Sequence, residues 1–280
     1  MDLGSILISV ASMGGLGILF SAGLSIANKK LHVEEDPRIA LVVEELPGVN
    51  CGGCGLPGCA KFAEAVVNGE MAPSACPVST DDAVIAISEI LGVEVQQSDR
   101  MLARVFCQGG EAETAKKGVY DGIETCVAAT FAGGGDKLCS YGCIGFADCV
   151  ASCPFDAIFM NDNGLPVVID AKCTGCGNCV EACPRDIIEL HPESHKLFVL
   201  CKNHDSPKES RKICTRACVG CGICARIAGE TNMVMDNNLA VINYNVYGTD
   251  TDFPVEKCPT DGLVVLNMSP MPEKEVAESA

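Results

Sequence analysis

The chain has 280 residues, of which 20 are cysteine, nine Phe, four Tyr and none Trp, and its formal net charge is -17. So acidic a chain is a poor partner for phosphate backbones, which excludes nucleic-acid binding as a working reading. With few aromatics available for a large conventional core, the cysteines point to bound metal as the organiser of much of the structure.

From Leu3 to Asn28 no side chain is charged. A helix over LGSILISVASMGGLGILFSAGLSIA would run ~37 Å at ~1.5 Å per residue, enough to cross a hydrocarbon core of ~30 Å. A cleaved signal peptide fits less well, because the short leader holds Asp2 and no Lys or Arg. Lys29 and Lys30 are the first charges after the run, so the positive-inside rule puts everything downstream in the cytoplasm. That reducing compartment disfavours structural disulfides. Small residues recur along the span (Gly14, Gly15, Gly17, Ser21), as expected of a helix that packs on other membrane helices.

After a charged collar (Glu34, Glu35, Asp36) the first cysteine set is Cys51-x2-Cys54-x4-Cys59-x16-Cys76, with glycines that let the backbone wrap a cofactor. AKFAEAVV then reads as a short helix, and DDAVIAISEILG as another, capped by Ser79 or Thr80. Zinc usually sits between two paired knuckles, whereas one tight triplet with a distant fourth ligand favours a [4Fe-4S] cluster. The stretch up to Leu138 is irregular and holds two isolated cysteines, Cys107 and Cys126.

An internal repeat follows. Its second copy, Cys173-x2-Cys176-x2-Cys179-x3-Cys183-Pro184, has the spacing of a two-cluster ferredoxin, in which the fourth Cys of each motif serves the other motif's cluster. The first copy, counted back from Cys153-Pro154, gives Cys149 and Cys143 but Phe at 146, so Cys139 is the simplest substitute ligand. The predicted sets are Cys139, Cys143, Cys149 with Cys183, and Cys173, Cys176, Cys179 with Cys153. CPFDAIFM with PVVID, and CPRDIIEL with KLFVL, each predict a hairpin beside a short cluster-bearing helix.

A third module keeps Cys218, Cys221, Cys224 and Cys258, but Ala228, Gly248, Thr251 and Pro254 stand where the crossed scheme needs the ligands of a second cluster. It therefore reads as a single-cluster module, with MVMDNNLAVINY as its hairpin. Four cysteines remain, Cys107, Cys126, Cys201 and Cys214. They could be scattered packing thiols; because they number four and two lie at the module junction, the reading adopted is a fifth cluster bridging connector and junction.

The four histidines fall on loops or edges and read as solvated. No dinucleotide fingerprint, phosphate loop or nucleophile elbow is present, so no flavin or NAD site and no complete active site is expected on this chain. The segment from Cys201 to Ile227 carries Lys202, Lys208, Arg211, Lys212, Arg216 and Arg226 against Asp205 and Glu209. Such a run is either a solvated face or a docking patch for an acidic redox carrier; Lys202, Lys208, Arg211, Lys212 and Arg216 are the docking candidates.

The expected architecture is α+β: a transmembrane anchor over 1–30, a small helical four-cysteine domain over 31–95, an irregular connector over 96–138, a two-cluster ferredoxin-like module over 139–202, a degenerate single-cluster one over 203–268 and a disordered tail over 269–280. An anchor, GVNCGGCGLPGC with its later CP, and the ferredoxin repeats, in that order, resemble the B subunit of the Rnf complex, the ion-translocating ferredoxin:NAD oxidoreductase. The likeness covers nearly the whole chain, including CSYGCIGFADC and VGCGIC; the lost cysteines of the last module imply one cluster fewer than in the longest members. It implies a protein that accepts electrons from reduced ferredoxin and passes them to membrane partner subunits, which carry the flavins, reduce NAD and move Na⁺ or H⁺. A polyferredoxin of another membrane assembly, such as a hydrogenase, and a cluster-storage protein are the rival readings.

Overall fold

The computed structural model describes residues 3–30, 36–95 and 99–266; the tail expected over 269–280 lies outside them. Helix α1 (Leu3–Lys30) contains a stretch, Val10–Ala27, of mean hydropathy 1.7, none of it buried against the rest of the chain. One N-terminal helix is thus long and apolar enough to anchor the protein in a membrane.

The first cysteine set sits on a three-helix unit of α2 (Pro37–Glu45), α3 (Cys59–Val67) and α4 (Asp81–Leu91). Val42, Phe62, Ala63, Val66 and Ile87 form its core, one apolar stripe from each helix. The N-terminus of α2 is capped by Asp36, which accepts from Arg38 N at 2.9 Å, and that of α4 by Thr80, which accepts from Ala83 N at 3.3 Å. At its other end α4 closes on Gly92 in the left-handed conformation. Helix α3 starts on a cysteine, and the Cys59 N–H donates to Asn50 Oδ1 at 2.8 Å.

Short strands and helices make up the remainder: β1 (Met101–Val105), α5 (Cys126–Phe131), α6 (Asp148–Ala151), β2 (Ile158–Met160), β3 (Pro166–Val168), α7 (Asn178–Glu181), β4 (Ile188–Pro192), β5 (Leu197–Val199), α8 (Pro207–Ile213), α9 (Ile223–Ala228), β6 (Met233–Asp236), β7 (Leu239–Ile242) and β8 (Leu263–Val265). The internal repeat is written into the backbone. Cys149, Cys179 and Cys224 lie on α6, α7 and α9, each helix entered through a left-handed residue: Ala147, Gly177 and Gly222. Likewise Asp156, Asp186 and Asp261, each three residues after a Cys-Pro cysteine, have φ of 49, 50 and 48°. Asp tolerates this conformation better than most residues, which suits three copies of one turn.

Two of the expected hairpins form, β2 with β3 and β6 with β7, the latter turning on Asn237 and Asn238, both with positive φ as a type I′ turn requires. The hairpin expected from CPRDIIEL and KLFVL does not. Strand β4 pairs with β1, and β5 pairs with β8 from the end of the chain. All three residues of β5 are buried, so it runs as an internal seam rather than as the half-exposed return arm of a hairpin. Its pairing with β8 crosses the boundary expected at 202/203. Nor is the connector irregular throughout, since it supplies β1, whose Leu102 and Ala103 are buried and whose buried Arg104 pairs with Asp170 at 2.6 Å.

His191 corrects the reading of the histidines as solvated. It is 7% exposed and stands edge-on to Phe198 (5.2 Å between centroids) and Tyr244 (4.5 Å), with its Nδ1 3.2 Å from His195 Nδ1. Phe106 joins the same stack, which ties the β1–β4 sheet to the last module. Because Phe198 has no exposed surface, Phe198→Ala should remove about 3–5 kcal/mol of packing. The expected outcome is earlier loss of visible cluster absorbance on heating the whole protein; an unchanged transition would show that the seam carries no stability.

Candidate functional site

Four hollows in the described structure are each walled by four thiols. Cys51, Cys54, Cys59 and Cys76 ring about 320 Å³ of empty space beside Phe62 and Val78. Cys218, Cys221, Cys224 and Cys258 ring about 340 Å³, closed by Val199, Met235, Ala240 and Leu263. Cys126, Cys143, Cys149 and Cys183 surround about 360 Å³, with Ile144, Ile187 and Ile188. Cys107, Cys139, Cys201 and Cys214 surround about 370 Å³. Of a fifth group, Cys153, Cys173 and Cys179 belong to the core of the ferredoxin-like module, and Cys179 feels Cys153, Cys173 and Cys176.

The groupings match the spacing in three cases and differ in two. Spacing predicts Cys139 as the substitute for the ligand missing at Phe146, with Cys126 in the bridging set. The structure exchanges them. Tyr120 packs on Phe146 with ring centroids 5.3 Å apart, and the Val127 N–H donates to Asp148 Oδ2 at 3.1 Å. These contacts lay segment 120–131 across α6 and deliver Cys126, the first residue of α5, to the set of Cys143, Cys149 and Cys183. Cys139 faces Cys107 instead: a Cβ on Gly142 would lie 3.3 Å from Cys139 Sγ and 3.5 Å from Cys107 Sγ. The aromatic at 146 is the only trace of this arrangement in the sequence, and it says that something covers the position without saying what.

In the last module Ala228 joins an apolar cluster with Phe253, Tyr244 and Tyr247, so side chains fill the region around a lost ligand. This agrees with a module that kept one set of four.

The sulfurs suit a cluster better than a bare ion. Among the described residues no three His, Cys, Asp or Glu side chains converge tightly enough to hold one metal ion, whereas zinc would draw four thiolates to about 2.3 Å from a point. Backbone N–H groups donate to ligand sulfurs, as Ala103 to Cys173 (3.5 Å) and Ala157 to Cys153 (3.4 Å), the contacts that favour thiolate and tune an iron-sulfur centre. Burial pushes the free thiols the other way, Cys143, Cys179 and Cys201 up to about 12 and Cys149 and Cys224 up to about 11. Ligation as thiolate has to displace those protons, which ties metal binding to pH.

The candidate docking cations divide. Lys202 turns inward, paired with Glu189 and lying 4.8 Å above the Phe106 ring, so it is no docking residue. Glu189 is held down to about 2, through His191 first and Lys202 next, against a burial that opposes them. Arg216 pairs with Asp261 at 2.7 Å and Lys212 with Glu209 at 3.0 Å. Lys208 and Arg211 stay exposed on α8, the helix that leads into Cys214.

Comparison with known proteins agrees with this chemistry. A family model described as "Putative Fe-S cluster" matches residues 46–78, and one described as "4Fe-4S dicluster domain" matches residues 142–188. The chain is 44% identical over 257 residues to the B subunit of the Na(+)-translocating ferredoxin:NAD(+) oxidoreductase complex of Acetobacterium woodii, covering 92% of this chain and 77% of that protein. It is 36% identical over 263 residues to the B subunit of the proton-translocating ferredoxin:NAD(+) oxidoreductase complex of Clostridium ljungdahlii, covering 93% of each. The chain belongs to the family of Rnf complex B subunits. A Methanosarcina acetivorans relative, the B subunit of an ion-translocating oxidoreductase complex, is 40% identical over 80% of this chain and 85% of its own length. The protein is accordingly an iron-sulfur electron-transfer subunit of a multi-subunit ion-translocating oxidoreductase, and its apolar N-terminal helix fits a membrane-anchored member of such a complex.

The exchange of Cys126 and Cys139 can be read from iron content. Cys126→Ala with Cys183→Ala should remove one cluster's worth of iron, because both serve one set, whereas Cys126→Ala with Cys214→Ala should remove two. The reverse pattern would restore the grouping by spacing.

Proposed function

We propose that this protein holds five [4Fe-4S] clusters and relays electrons one at a time from reduced ferredoxin to the membrane subunits of the complex, with its iron-sulfur domains on the cytoplasmic side. The ligand sets would be Cys51/54/59/76, Cys153/173/176/179, Cys126/143/149/183, Cys107/139/201/214 and Cys218/221/224/258. Clusters bound there would supply one-electron chemistry.

What supports a relay is that successive ligand sets touch. The four-cysteine unit meets the ferredoxin-like module so closely that a Cβ on Gly53 would lie 2.7 Å from the Cys176 carbonyl oxygen. The Cys153 and Cys126 sets share the α6 and α7 turns, with Cys149 acting on Cys179. The Cys143 N–H donates to Cys107 Sγ at 3.4 Å, which joins the next pair, and the Cys218 N–H donates to Cys201 Sγ at 3.3 Å, which joins the last. The order runs from the set nearest the apolar helix in sequence to the Cys218 set, whose Cys221 is the exposed thiol among the 20 cysteines. Electrons would enter at the exposed end and leave beside the anchor. Lys208 and Arg211 are the cations left to steer an acidic ferredoxin in a strongly acidic chain.

In a rapid-mixing experiment with reduced ferredoxin, Cys107→Ala should lose one cluster's worth of iron and leave the Cys218 site reducible while the sites nearer the anchor stay oxidised. Full reduction of every remaining site at the normal rate would refute the linear relay. Reversing Lys208 and Arg211 to Glu should slow electron entry at low salt and flatten its salt dependence; rates equal to wild type at low salt would discard the patch.

A further inference from the structure

The hollow walled by Cys107, Cys139, Cys201 and Cys214 differs from the others in what else lines it. Only seven polar or charged residues are buried among those described, and three of them, Thr114, Lys137 and Asn203, line this one space. Lys137 is 4% exposed, and its Nζ donates to the Gly109 carbonyl at 3.4 Å; no carboxylate lies within ion-pair reach of it among the described residues. The other cations at the wall, Lys202 and Arg216, each have a carboxylate partner. A buried ammonium without a counter-charge is destabilising by several kcal/mol, so its retention calls for an anion close by. Asp205 acts on Cys139 from outside the lining and is half-exposed, too remote to be that partner.

Two further polar groups at the same wall lack a partner. Asn203 is 1% exposed; its Oδ1 accepts from the Asp205 N–H at 2.7 Å, which fixes the amide, and its Nδ2 is left without a partner. Thr114, 5% exposed, has an unpartnered Oγ1 on the Cys214 side of Gly109, where a Cβ would lie 2.6 Å from that oxygen and 3.0 Å from Cys214 Sγ. Unsatisfied buried donors are rare in folded proteins and require explanation. By contrast the Cys218 hollow is lined by Val199, Val219, Met235, Ala240 and Leu263, with no charged group, and the Cys126 hollow has the half-buried Arg185 at its wall together with a carboxylate, Asp148.

We propose that Lys137, with the Nδ2 of Asn203 and the Oγ1 of Thr114, forms a cationic donor seat that gives the Cys107/139/201/214 site the highest reduction potential on the chain. The inference rests on the five-cluster reading above. A cluster held there would gain a negative charge with each electron, and a fixed cation with two unpartnered donors at its wall would favour that more negative state. Lys137 also reaches towards the adjoining site, since a Cβ on Gly145, two residues after Cys143, would lie 4.0 Å from its Nζ, so it serves that site more weakly. A high-potential station part-way along the relay would hold an electron rather than let it return towards the donor.

The test is a redox titration of the purified full chain followed by electron paramagnetic resonance, with the component belonging to this site identified by its loss in Cys201→Ser. In the wild type that component should have the highest midpoint. Lys137→Met should make its reduction at least tenfold less favourable, ~59 mV for one electron, with a smaller fall at the Cys126 site and none at the Cys51 and Cys218 sites. Lys137→Arg should restore most of the shift. Thr114→Val, nearly isosteric, and Asn203→Asp, which keeps the Oδ1 acceptor, should each lower the same midpoint alone, and they decide the matter if Lys137→Met loses iron. Unchanged midpoints in iron-replete variants, or a wild-type component that is not the highest, would overturn the proposal. Iron content one cluster short in the wild type, with no component lost in Cys201→Ser, would instead overturn the five-cluster reading.

Discussion

Everything in the soluble part of this protein depends on keeping thiols in fours around spaces that side chains leave open. Sulfur ligands buried this deeply are poor acids on their own, and burial drives several up to about 11 or 12. Metal that displaces those protons converts an unfavourable environment into a binding one. The apolar cores around the sites are correspondingly small. Phe62, Phe198 and Met233 are among the few large side chains that are fully buried, and cysteines themselves belong to the clusters they pack in. With strands of only three to five residues in two-stranded sheets, backbone pairing aligns ligand-bearing turns more than it builds a core.

Charge sets the second constraint. The chain is acidic before any cofactor is counted, and each four-thiolate cluster makes it more so. Several basic groups are drawn into pairs: Arg104 with Asp170, Lys202 with Glu189, Arg216 with Asp261. Two kinds of cation outside those pairs differ in what they can act on. Lys208 and Arg211 are solvated on α8, in position to guide an acidic partner, whereas Lys137 is buried beside a ligand set. The first kind acts on encounter, where salt screens it; the second acts on an equilibrium inside the protein, where salt reaches it weakly.

Contact between successive sites links architecture to electron flow. No single domain could bring them into line. The Gly53–Cys176 approach joins the helical unit to the ferredoxin-like module, and the N–H donors of Cys143 and Cys218 reach across to sulfurs of the neighbouring sets. The seam of Phe106, His191, Phe198 and Tyr244 holds the two later modules together at the same place.

Local spacing was enough to name an apolar N-terminal helix and the iron-sulfur motifs that two family models match. In each of these the ligands lie on one turn or on copies of one repeat, and the backbone geometry of a turn is a short-range property. The capped helix α4 and the Asn237–Asn238 hairpin were legible for the same reason. Tertiary structure decided the rest. Whether Cys126 or Cys139 completes the set beside Phe146 depends on Tyr120 packing over that ring, a contact between segments with no common periodicity. Strand β4 finds β1 rather than β5, and Lys202 finds Glu189 rather than solvent, through pairings distant in sequence. Side chains separated by long loops meet because the whole chain closes around them, and spacing within a motif carries no record of that closure.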